Sequence, residues 1–237
     1  MPEKYVVHEV EWNNEQVSNF WNQIYNRGTT GFADCSAGTI LNIIKKKISL
    51  KGRILDYGAG NGNFTKVLCE KLLKSSISCC EYSECAVNKL TNSLGNYKNF
   101  EGAFLIDNIQ QKEFDAVFVL EVIEHLSEEQ LNTFFIRINS LLRKGGRLII
   151  TVPNNENIDS KKVLCPECGA IFHPIQHLKS YNAELLIKTC RRNGFEKYLI
   201  KQSYLNTKVT MKNWLKKIFF FIAKNESPNL IGIFTKK

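Results

Sequence analysis

The chain has 237 residues, of which 43% are apolar, so its length and composition predict one globular domain with a full hydrophobic core. Its formal net charge of +9 would suit an acidic partner such as nucleic acid, an anionic membrane face or a phosphorylated substrate. The lysines are spread along the chain, however, which favours a role in solubility. No run of 18 uncharged apolar residues occurs, which argues against a transmembrane helix.

Eight cysteines occur without an N-terminal signal peptide, so we expect reduced thiols and a cytoplasmic location. Six of them are scattered and are interpreted as small hydrophobic residues of the core. These six are Cys35, Cys69, Cys79, Cys80, Cys85 and Cys190.

Residues 1–50 precede the first predicted strand and are expected to form a helical cap. Four aromatic residues lie in one polar stretch of this segment: Trp12, Phe20, Trp21 and Tyr25. Trp21 and Tyr25 are four residues apart and so share one face of a helix. These side chains either dock the helix on the core or take part in binding a ligand.

A glycine-rich turn follows the first strand, in the sequence LDYGAGNGNF of residues 55–64. Gly58, Gly60 and Gly62 can adopt positive φ and let the backbone approach a ligand closely. A strand, a tight turn and a helix in this order present free N–H groups to a polar ligand. The spacing matches neither the dinucleotide fingerprint nor a phosphate loop. Asp56, just before the glycines, would repel a phosphate but suits an ammonium group.

Three further strands are predicted along the chain. The apolar residues 77–80 end at Glu81, about 20 residues past the glycines, where a doubly wound fold places the acid that binds a ribose. Residues 114–120 form a second buried pattern, and residues 146–153 a third.

In this order the segments LDYGAGNG, CCEYS, FDAVFVLEVIEHL and GGRLIITVPN resemble the core of class I S-adenosylmethionine (SAM) methyltransferases over residues 50–200. The resemblance implies an α/β fold with a doubly wound, Rossmann-like, seven-stranded and mostly parallel sheet, whose last strand, at 229–236, is antiparallel. It also implies SAM as cofactor. The residues implied to bind it are Asp56, Gly58, Ala59, Gly60, Gly62, Glu81, Tyr82, Phe104 and Leu120.

The expected organisation is a cap at 1–50, a SAM-binding core at 51–202 and a C-terminal helix and strand at 203–237. An insertion at 154–181 interrupts the core. In this family the segment before the core often covers the pocket and contacts the acceptor. One departure from the family is Ala103, which stands where an acid commonly contacts the adenine amine.

The second group of chemical interest follows the strand at 114–120. Glu121, Glu124 and His125 have the spacing that places three side chains on one face of a helical turn. Two carboxylates next to an imidazole repel one another unless protons or a cation intervene. A divalent ion would relieve the repulsion and could lower the pKa of an acceptor hydroxyl.

This E-x-x-E-H set resembles the metal-binding motif of small-RNA 2′-O-methyltransferases and of ubiquinone-pathway O-methyltransferases. The RNA enzymes add a second histidine after the next strand, and His177 stands at the matching place, preceded by Gln176 instead of an acid. The resemblance therefore implies Glu121, Glu124, His125 and His177 as ligands of Mg²⁺ or Mn²⁺. An alternative stays open, because the motif also occurs in methyltransferases without a known metal. There Glu124, His125 and His177 would act as catalytic residues, with a histidine as general base.

A second metal hypothesis concerns the insertion. Cys165 and Cys168 form a C-x2-C pair followed by Gly169, and His173 and His177 form an H-x3-H pair. The gap of four residues between the pairs is that of a zinc knuckle, so Cys165, Cys168, His173 and His177 are candidate ligands of a structural zinc ion. The two metal hypotheses compete for His177.

Residues 208–224 are rich in lysine and aromatic side chains. Such a segment can lie on an anionic membrane as a peripheral contact, or it can dock on the core as a helix.

The sequence thus predicts a SAM-dependent methyltransferase. The N-terminal segment VEWNNEQVSNFWNQIY and the cysteine–histidine insertion resemble those of methyltransferases encoded with bacterial surface-polysaccharide or secondary-metabolite genes. This resemblance implies a hydroxyl of a sugar, a glycan or another small metabolite as the acceptor. Oxygen is favoured because a base or a metal ion is offered, which amines seldom need. Two alternatives remain: an RNA 2′-O-methyltransferase, and a SAM-binding partner protein that has lost catalysis. The sequence does not determine the oligomeric state.

Overall fold

The computed structural model describes residues 5–26, 32–109, 113–205 and 228–237. The strands are β1 (His8–Glu9), β2 (Gly52–Tyr57), β3 (Ser75–Glu81), β4 (Phe100–Leu105), β5 (Phe114–Leu120), β6 (Leu142–Pro153), β7 (Val163–Leu164), β8 (Ala170–Phe172), β9 (Phe195–Ser203) and β10 (Asn229–Lys236). The helices are α1 (Asn14–Asn26), α2 (Phe32–Lys45), α3 (Asn63–Lys71), α4 (Glu84–Leu94), α5 (Glu128–Leu141) and α6 (Ala183–Arg192).

Seven strands form one sheet in the order β4-β3-β2-β5-β6-β10-β9. The strands from β4 to β6 pair in parallel, whereas β10 pairs antiparallel with both β6 and β9. This confirms the predicted doubly wound α/β fold with an antiparallel last strand. The first change of direction in the strand order lies between β2 and β5, so the loops after these two strands meet at one edge.

Both faces of the sheet are covered, as the uninterrupted apolar pattern of β5 requires. Val117 and Val119 pack on one side with residues of α5 and α6. Ala116 and Phe118 pack on the other side with residues of α2 and α3. Successive side chains of β5 therefore belong to two hydrophobic layers on opposite faces of the sheet.

Helix α5 begins with a capping box formed by Ser127 and Gln130. The Ser127 hydroxyl accepts a hydrogen bond from the Gln130 N–H, and the Gln130 side chain accepts one from the Ser127 N–H. Helix α5 thus begins directly after a short connection from β5. This connection contains Glu121, Glu124 and His125, which are called the acid–histidine motif below.

A second, three-stranded sheet has the order β1-β8-β7. It joins the N-terminal segment to the insertion: β1 pairs in parallel with β8, with His8 opposite Ala170 and Glu9 opposite Ile171. The pairing is close at Gly169, where an added Cβ would lie 2.5 Å from the carbonyl oxygen of Val6.

The cysteine predictions hold in part. Four of the six scattered residues are buried, but Cys85 is exposed, because it lies on the outer face of the first turn of α4. The side chain of Cys35 lies outside the described residues. The buried ones are Cys69, Cys79, Cys80 and Cys190.

Within the described ranges, no helix has the length and apolar character needed to cross a bilayer. The segment 208–224, predicted to contact a membrane or the core, falls within residues 206–227 and so outside them.

Candidate active site

The glycine-rich turn joins β2 to α3 in the predicted manner. Gly58, Gly60 and Gly62 have φ of 76°, 56° and 79°, the left-handed region that glycine adopts without strain. The N–H groups of Gly58 and Ala59 donate to the carbonyl oxygen of Cys80, at 3.0 and 3.2 Å. These bonds hold the turn against the end of the neighbouring strand β3.

Glu81 lies at the end of β3, and its buried carboxylate is fixed by two backbone donors. The N–H of Gly60 donates to Oε1 at 2.6 Å, and the N–H of Tyr82 donates to Oε2 at 2.9 Å. A carboxylate oxygen has more than one acceptor site, so both oxygens can accept further bonds, such as those of two ribose hydroxyls. The structure thus brings the predicted acid and the glycine turn into direct contact.

Asp56 ends up buried between β2 and α3. The Thr65 hydroxyl donates to its Oδ2 at 2.6 Å. Burial raises the pKa of Asp56 from 3.8 to about 7, against the opposing effect of the hydrogen bond from Thr65. The carboxylate is thus positioned by the helix that follows the turn, and its pairing with an ammonium group stays a prediction.

The remaining cofactor residues implied by the resemblance occupy varied environments. Leu120 is buried at the end of β5, Phe104 is half-buried in β4, and the Tyr82 side chain is exposed. Ala103 lies opposite Cys79 in the pairing of β3 with β4, so β4 offers no carboxylate at this position. The next acid along the chain, Asp107, belongs to the short 3₁₀ turn that follows β4.

The acid–histidine motif occupies the connection between β5 and α5. The expected helical turn is a short 3₁₀ segment, Ile123–His125, and Glu121 precedes it with φ of 53°. The Glu124 side chain is 0% exposed, and neither of its oxygens has a hydrogen-bond partner among the described residues. A buried carboxylate left in this way is costly and calls for a partner such as a cation.

His177 approaches the motif from the insertion. The backbone carbonyl of Glu124 accepts bonds from the N–H groups of Leu178 and Lys179, at 2.8 and 3.1 Å, which fixes the two loops together. The rings of His125 and His177 have centroids 4.8 Å apart, and His125 Nε2 lies 3.9 Å from Glu124 Oε1.

Three of the four predicted ligands of the divalent ion therefore come together. One ligand atom each from Glu124, His125 and His177 lies within 4.8 Å of the others. Within the part of the chain that the structure describes, Glu121 does not belong to this group, although its Oε1 is also buried and has no hydrogen-bond partner there. A carboxylate and two imidazoles form a donor set suited to Mn²⁺, Zn²⁺ and related ions.

Burial governs the protonation of the motif. It raises the pKa of Glu121 to about 8 and that of Glu124 well above its usual range. It lowers the pKa of His125 to about 3, with a further contribution from His177. Uncharged imidazole is the form that binds metal ions. A bound cation would lower the pKa of the two carboxyl groups and so oppose the effect of burial.

A second cluster shares His177 and contains Glu156, which the sequence analysis did not identify. His177 Nδ1 is hydrogen-bonded to Glu156 Oε2, and His173 Nε2 lies 3.6 Å from Glu156 Oε1. The rings of His173 and His177 stack with centroids 4.6 Å apart. Glu156 lies three residues beyond the carboxyl end of β6. Because the loops at this end of an open α/β sheet carry its functional residues, this position could have identified Glu156 from the sequence.

The cysteines of the insertion lie at the β7–β8 turn. The N–H of Gly169 donates to the carbonyl oxygen of Cys165 at 3.0 Å. Within residues 5–26, 32–109, 113–205 and 228–237, neither Cys165 nor Cys168 joins a cluster of three or more possible ligands. The structure groups His173 and His177 with Glu156 instead, and the zinc hypothesis stays a prediction.

Helix α1 covers the histidines. The indole Nε1 of Trp21 donates to Gln176 Oε1 at 2.7 Å, and its ring centroid lies 5.0 Å from that of His125. Trp21 thus contacts the site itself, whereas the side chain of Tyr25 lies outside the described residues. Gln176, which replaces the acid of the RNA enzymes, serves as the acceptor for this contact.

A family model described as "Methyltransferase domain" matches residues 32–200. An uncharacterized methyltransferase of Anoxybacillus flavithermus is 27% identical over 135 residues, which cover 54% of this chain and 62% of the relative. A Xenopus laevis N-terminal Xaa-Pro-Lys N-methyltransferase 1-B is 30% identical over 101 residues, or 40% of this chain and 45% of that protein. The chain thus spans less than two thirds of the curated relatives that it matches.

Among solved structures, the chain is similar to the Burkholderia thailandensis 1,6-didemethyltoxoflavin-N1-methyltransferase with bound 1,6-didemethyltoxoflavin and S-adenosylhomocysteine. The TM-score is 0.66 at 17% identity, and the match covers 98% of this chain and 93% of the other. At this level of identity the likeness shows the fold.

Proposed function

Because the chain belongs to the methyltransferase domain family, we propose that it transfers the methyl group of SAM to a hydroxyl oxygen of a sugar, a glycan or another small metabolite. The observation that carries the choice of oxygen is the buried Glu124–His125–His177 cluster, in which neither Glu124 oxygen is hydrogen-bonded to any residue that the structure describes. Such a cluster suits the binding of a divalent ion close to an acceptor hydroxyl.

The cofactor would lie against the glycine turn after β2. Glu81 would accept the two ribose hydroxyls. The turn packs closely against the loop that follows β5, because a Cβ added at Gly58 would lie 2.8 Å from Val122 Cγ2. Since the same loop carries Glu124 and His125, the turn lies next to the loop that holds these two residues of the cluster. This adjacency supports transfer from SAM to an acceptor held at the cluster.

The reaction is an in-line displacement at the methyl carbon. The acceptor hydroxyl gives up its proton to solvent, and its oxygen forms the new O–C bond while the C–S bond breaks and its electron pair returns to sulfur, which releases S-adenosylhomocysteine. The protein contributes by aligning the reactants and excluding water. Trp21 over His125 supports this exclusion, because it covers the histidines from the side of α1.

Glu124, His125 and His177 would hold the ion, with Glu121 adjacent. When bound, a divalent ion polarises the acceptor hydroxyl and lowers its pKa. Glu156 supports this arrangement by holding Nδ1 of His177, because the other ring nitrogen is then left for an ion.

The two alternative functions are RNA 2′-O-methylation and SAM binding without catalysis. The net charge of +9 favours an RNA 2′-hydroxyl as acceptor, in which case RNA binding should depend strongly on salt. A SAM-binding partner without catalysis would bind SAM tightly and methylate no acceptor. Two of the similar proteins are named as N-methyltransferases.

The test combines metal analysis with mutagenesis. Elemental mass spectrometry of the purified protein, before and after EDTA, should show a divalent ion that Glu124→Gln and His177→Ala lose together with the activity. Glu129→Gln, an exposed glutamate on α5, is the matched control and should keep both. Full activity of both site variants would show that the metal-assisted mechanism is wrong.

A second pair of variants tests the zinc hypothesis. Cys165→Ser and Cys168→Ser should remove one ion if the cysteine turn binds zinc, and should leave the ion of the Glu124 cluster in place. A protein that holds no ion before EDTA treatment and gains no activity with Mg²⁺, Mn²⁺ or Zn²⁺ would exclude both metal sites. The histidines would then remain as candidates for a general base.

A further inference from the structure

We propose that a pocket of about 330 Å³ beside His173 and His177 is the acceptor site, and that it takes an uncharged, hydroxyl-bearing ring such as a sugar. This inference rests on the proposed function and names the substrate class of the same site. The volume lies at the lower end of the range of small-molecule sites, which is about 300–1,000 Å³.

The pocket lies where the N-terminal segment meets the insertion. The residues from Glu9 to Trp12 form one side, β8 and the loop around Asp159 form another, and His173 and His177 border it from within the protein. The pairing of β1 with β8 builds this corner, with Glu9 opposite Ile171. The pocket is therefore made by the parts of the chain that lie outside the seven-stranded sheet.

Two half-buried aromatic side chains line the pocket. The rings of Trp12 and Phe172 meet edge to face, with centroids 6.3 Å apart and an interplanar angle of 84°. Phe20 of α1 supports Trp12 from behind, at a centroid distance of 5.3 Å. Aromatic rings held in this way offer rigid apolar surface, which suits the C–H face of a sugar ring.

The charged rim argues against an anionic acceptor. Lys162 Nζ lies 2.9 Å from both Glu9 Oε1 and Asp159 Oδ1. One ammonium group against two carboxylates leaves the rim with a net negative charge, which repels phosphate groups. The carboxylates are 69% and 87% exposed and can accept hydrogen bonds from hydroxyl groups. The local charge thus favours a neutral polyol over RNA, in spite of the positive charge of the whole chain.

His177 connects the pocket to the chemistry. It lines the pocket and also belongs to the Glu124–His125–His177 cluster. A ring bound against the faces of Trp12 and Phe172 that line the pocket therefore lies next to the group proposed to activate its hydroxyl. Since Trp12 lines the pocket and Trp21 contacts His125, the N-terminal segment contributes to both the pocket and the cluster.

The test uses saturation-transfer NMR on the full chain loaded with S-adenosylhomocysteine, with methyl glycosides of glucose, galactose, mannose and rhamnose as probes. At least one glycoside should bind. Trp12→Ala and Phe172→Ala should each weaken binding by about tenfold, since each removes one aromatic contact. Tyr198→Ala, which removes a half-exposed aromatic residue of β9 away from the pocket, should not change it. Binding of S-adenosylhomocysteine should be unchanged in all three, which shows that the variants are folded.

The inference is overturned if no glycoside binds to the loaded protein, or if Trp12→Ala and Phe172→Ala both bind glycosides as the parent does. It is also overturned if a short single-stranded RNA binds and the two variants weaken it. If Phe172→Ala does not bind S-adenosylhomocysteine and is therefore not folded, Phe172→Leu is used instead, because it removes the ring and retains most of the apolar volume. The proposed function fails separately, when glycosides bind normally but neither Glu124→Gln nor metal removal affects methyl transfer.

Discussion

The carboxylate of Glu156 is hydrogen-bonded to Nδ1 of His177, 21 residues further along the chain. A carboxylate of low pKa can only accept, so the proton of this bond belongs to the imidazole, and the lone pair of Nε2 remains available to an ion. Although burial alone would raise the pKa of Glu156, hydrogen bonds from His177 and Lys161 lower it to about 2. Glu156 is thus an anion that orients a proposed metal ligand, as carboxylates commonly do behind metal-bound histidines.

Replacement of Glu156 should therefore weaken metal binding. We expect Glu156→Gln to lower the affinity for Mn²⁺ or Zn²⁺ by about 10-fold, and Glu156→Ala by up to about 100-fold. The glutamine keeps an acceptor for His177 but loses the charge. The measurement is competition with a fluorescent chelator. Glu129→Gln should have no effect, and unchanged affinity in both Glu156 variants would contradict the orienting role.

Glu81 should be needed for the cofactor. Glu81→Ala removes the acceptor of two backbone N–H groups and of the ribose hydroxyls, so S-adenosylhomocysteine should bind at least about 100-fold more weakly. The dissociation constant can be measured by isothermal titration calorimetry. Glu129→Ala serves as the control, and affinity within twofold of the parent would show that the cofactor does not use Glu81.

Asp56 should make the stability of the cofactor-free protein depend on pH. Its pKa is raised from 3.8 to about 7, so the folded protein binds a proton that the unfolded chain has released. The free energy of unfolding should fall as pH rises from about 4 to 7, by at most about 1.4 kcal/mol per unit. Relative to the parent, Asp56→Asn should be more stable at pH 8 than at pH 5 by roughly 2–3 kcal/mol.

Urea unfolding at pH 5 and pH 8 measures this difference. Asp107→Asn, at an exposed aspartate after β4, is the control and should follow the parent at both values. If the free energies of unfolding of Asp56→Asn and the parent depend on pH in the same way, Asp56 is ionised in the folded protein. Burial would then affect the pKa of Asp56 less than the hydrogen bond from Thr65 does.

Two glycines should respond in opposite directions to alanine. At Gly62 a Cβ would lie 2.5 Å from Leu90 Cδ2 and the φ of 79° is strained for alanine, so Gly62→Ala should destabilise by about 1–3 kcal/mol. Gly38 lies exposed in α2, and no described atom lies within 4 Å of its added Cβ, so Gly38→Ala should stabilise by about 0.5–1 kcal/mol. Thermal unfolding measures both. A Gly62→Ala variant as stable as the parent would mean that Leu90 moves freely.

Much of the geometry of the proposed cofactor site could be predicted from the sequence, because its signals are local. Three alternating glycines after an apolar strand require a tight turn with positive φ, and Gly58, Gly60 and Gly62 have it. The acid at the end of the next strand then meets that turn because parallel strands end at the same edge, and Glu81 does so through Gly60.

The metal candidates were predicted only in part. The spacing of Glu124 and His125 and the position of His177 were sufficient to group these three residues. The same reasoning expected Glu121 in the group and paired His173 with Cys165 and Cys168. The spacing predicted an α-helical turn. The chain instead has a positive φ at Glu121 and a 3₁₀ segment after it, so Glu121 is not placed with the other three residues.

The sequence by itself determined the order of the strands and helices of the core, the cofactor turn and its acid, since apolar periodicity and glycine act within a few residues of the chain. Only the tertiary structure decided that Glu156 holds His177, that Trp21 covers His125 and that Trp12 meets Phe172 beside the histidines. These contacts join residues from different loops, and two of them join the N-terminal segment to residues more than 100 positions further along the chain. The path of such loops depends on packing against the finished core, which no local pattern encodes.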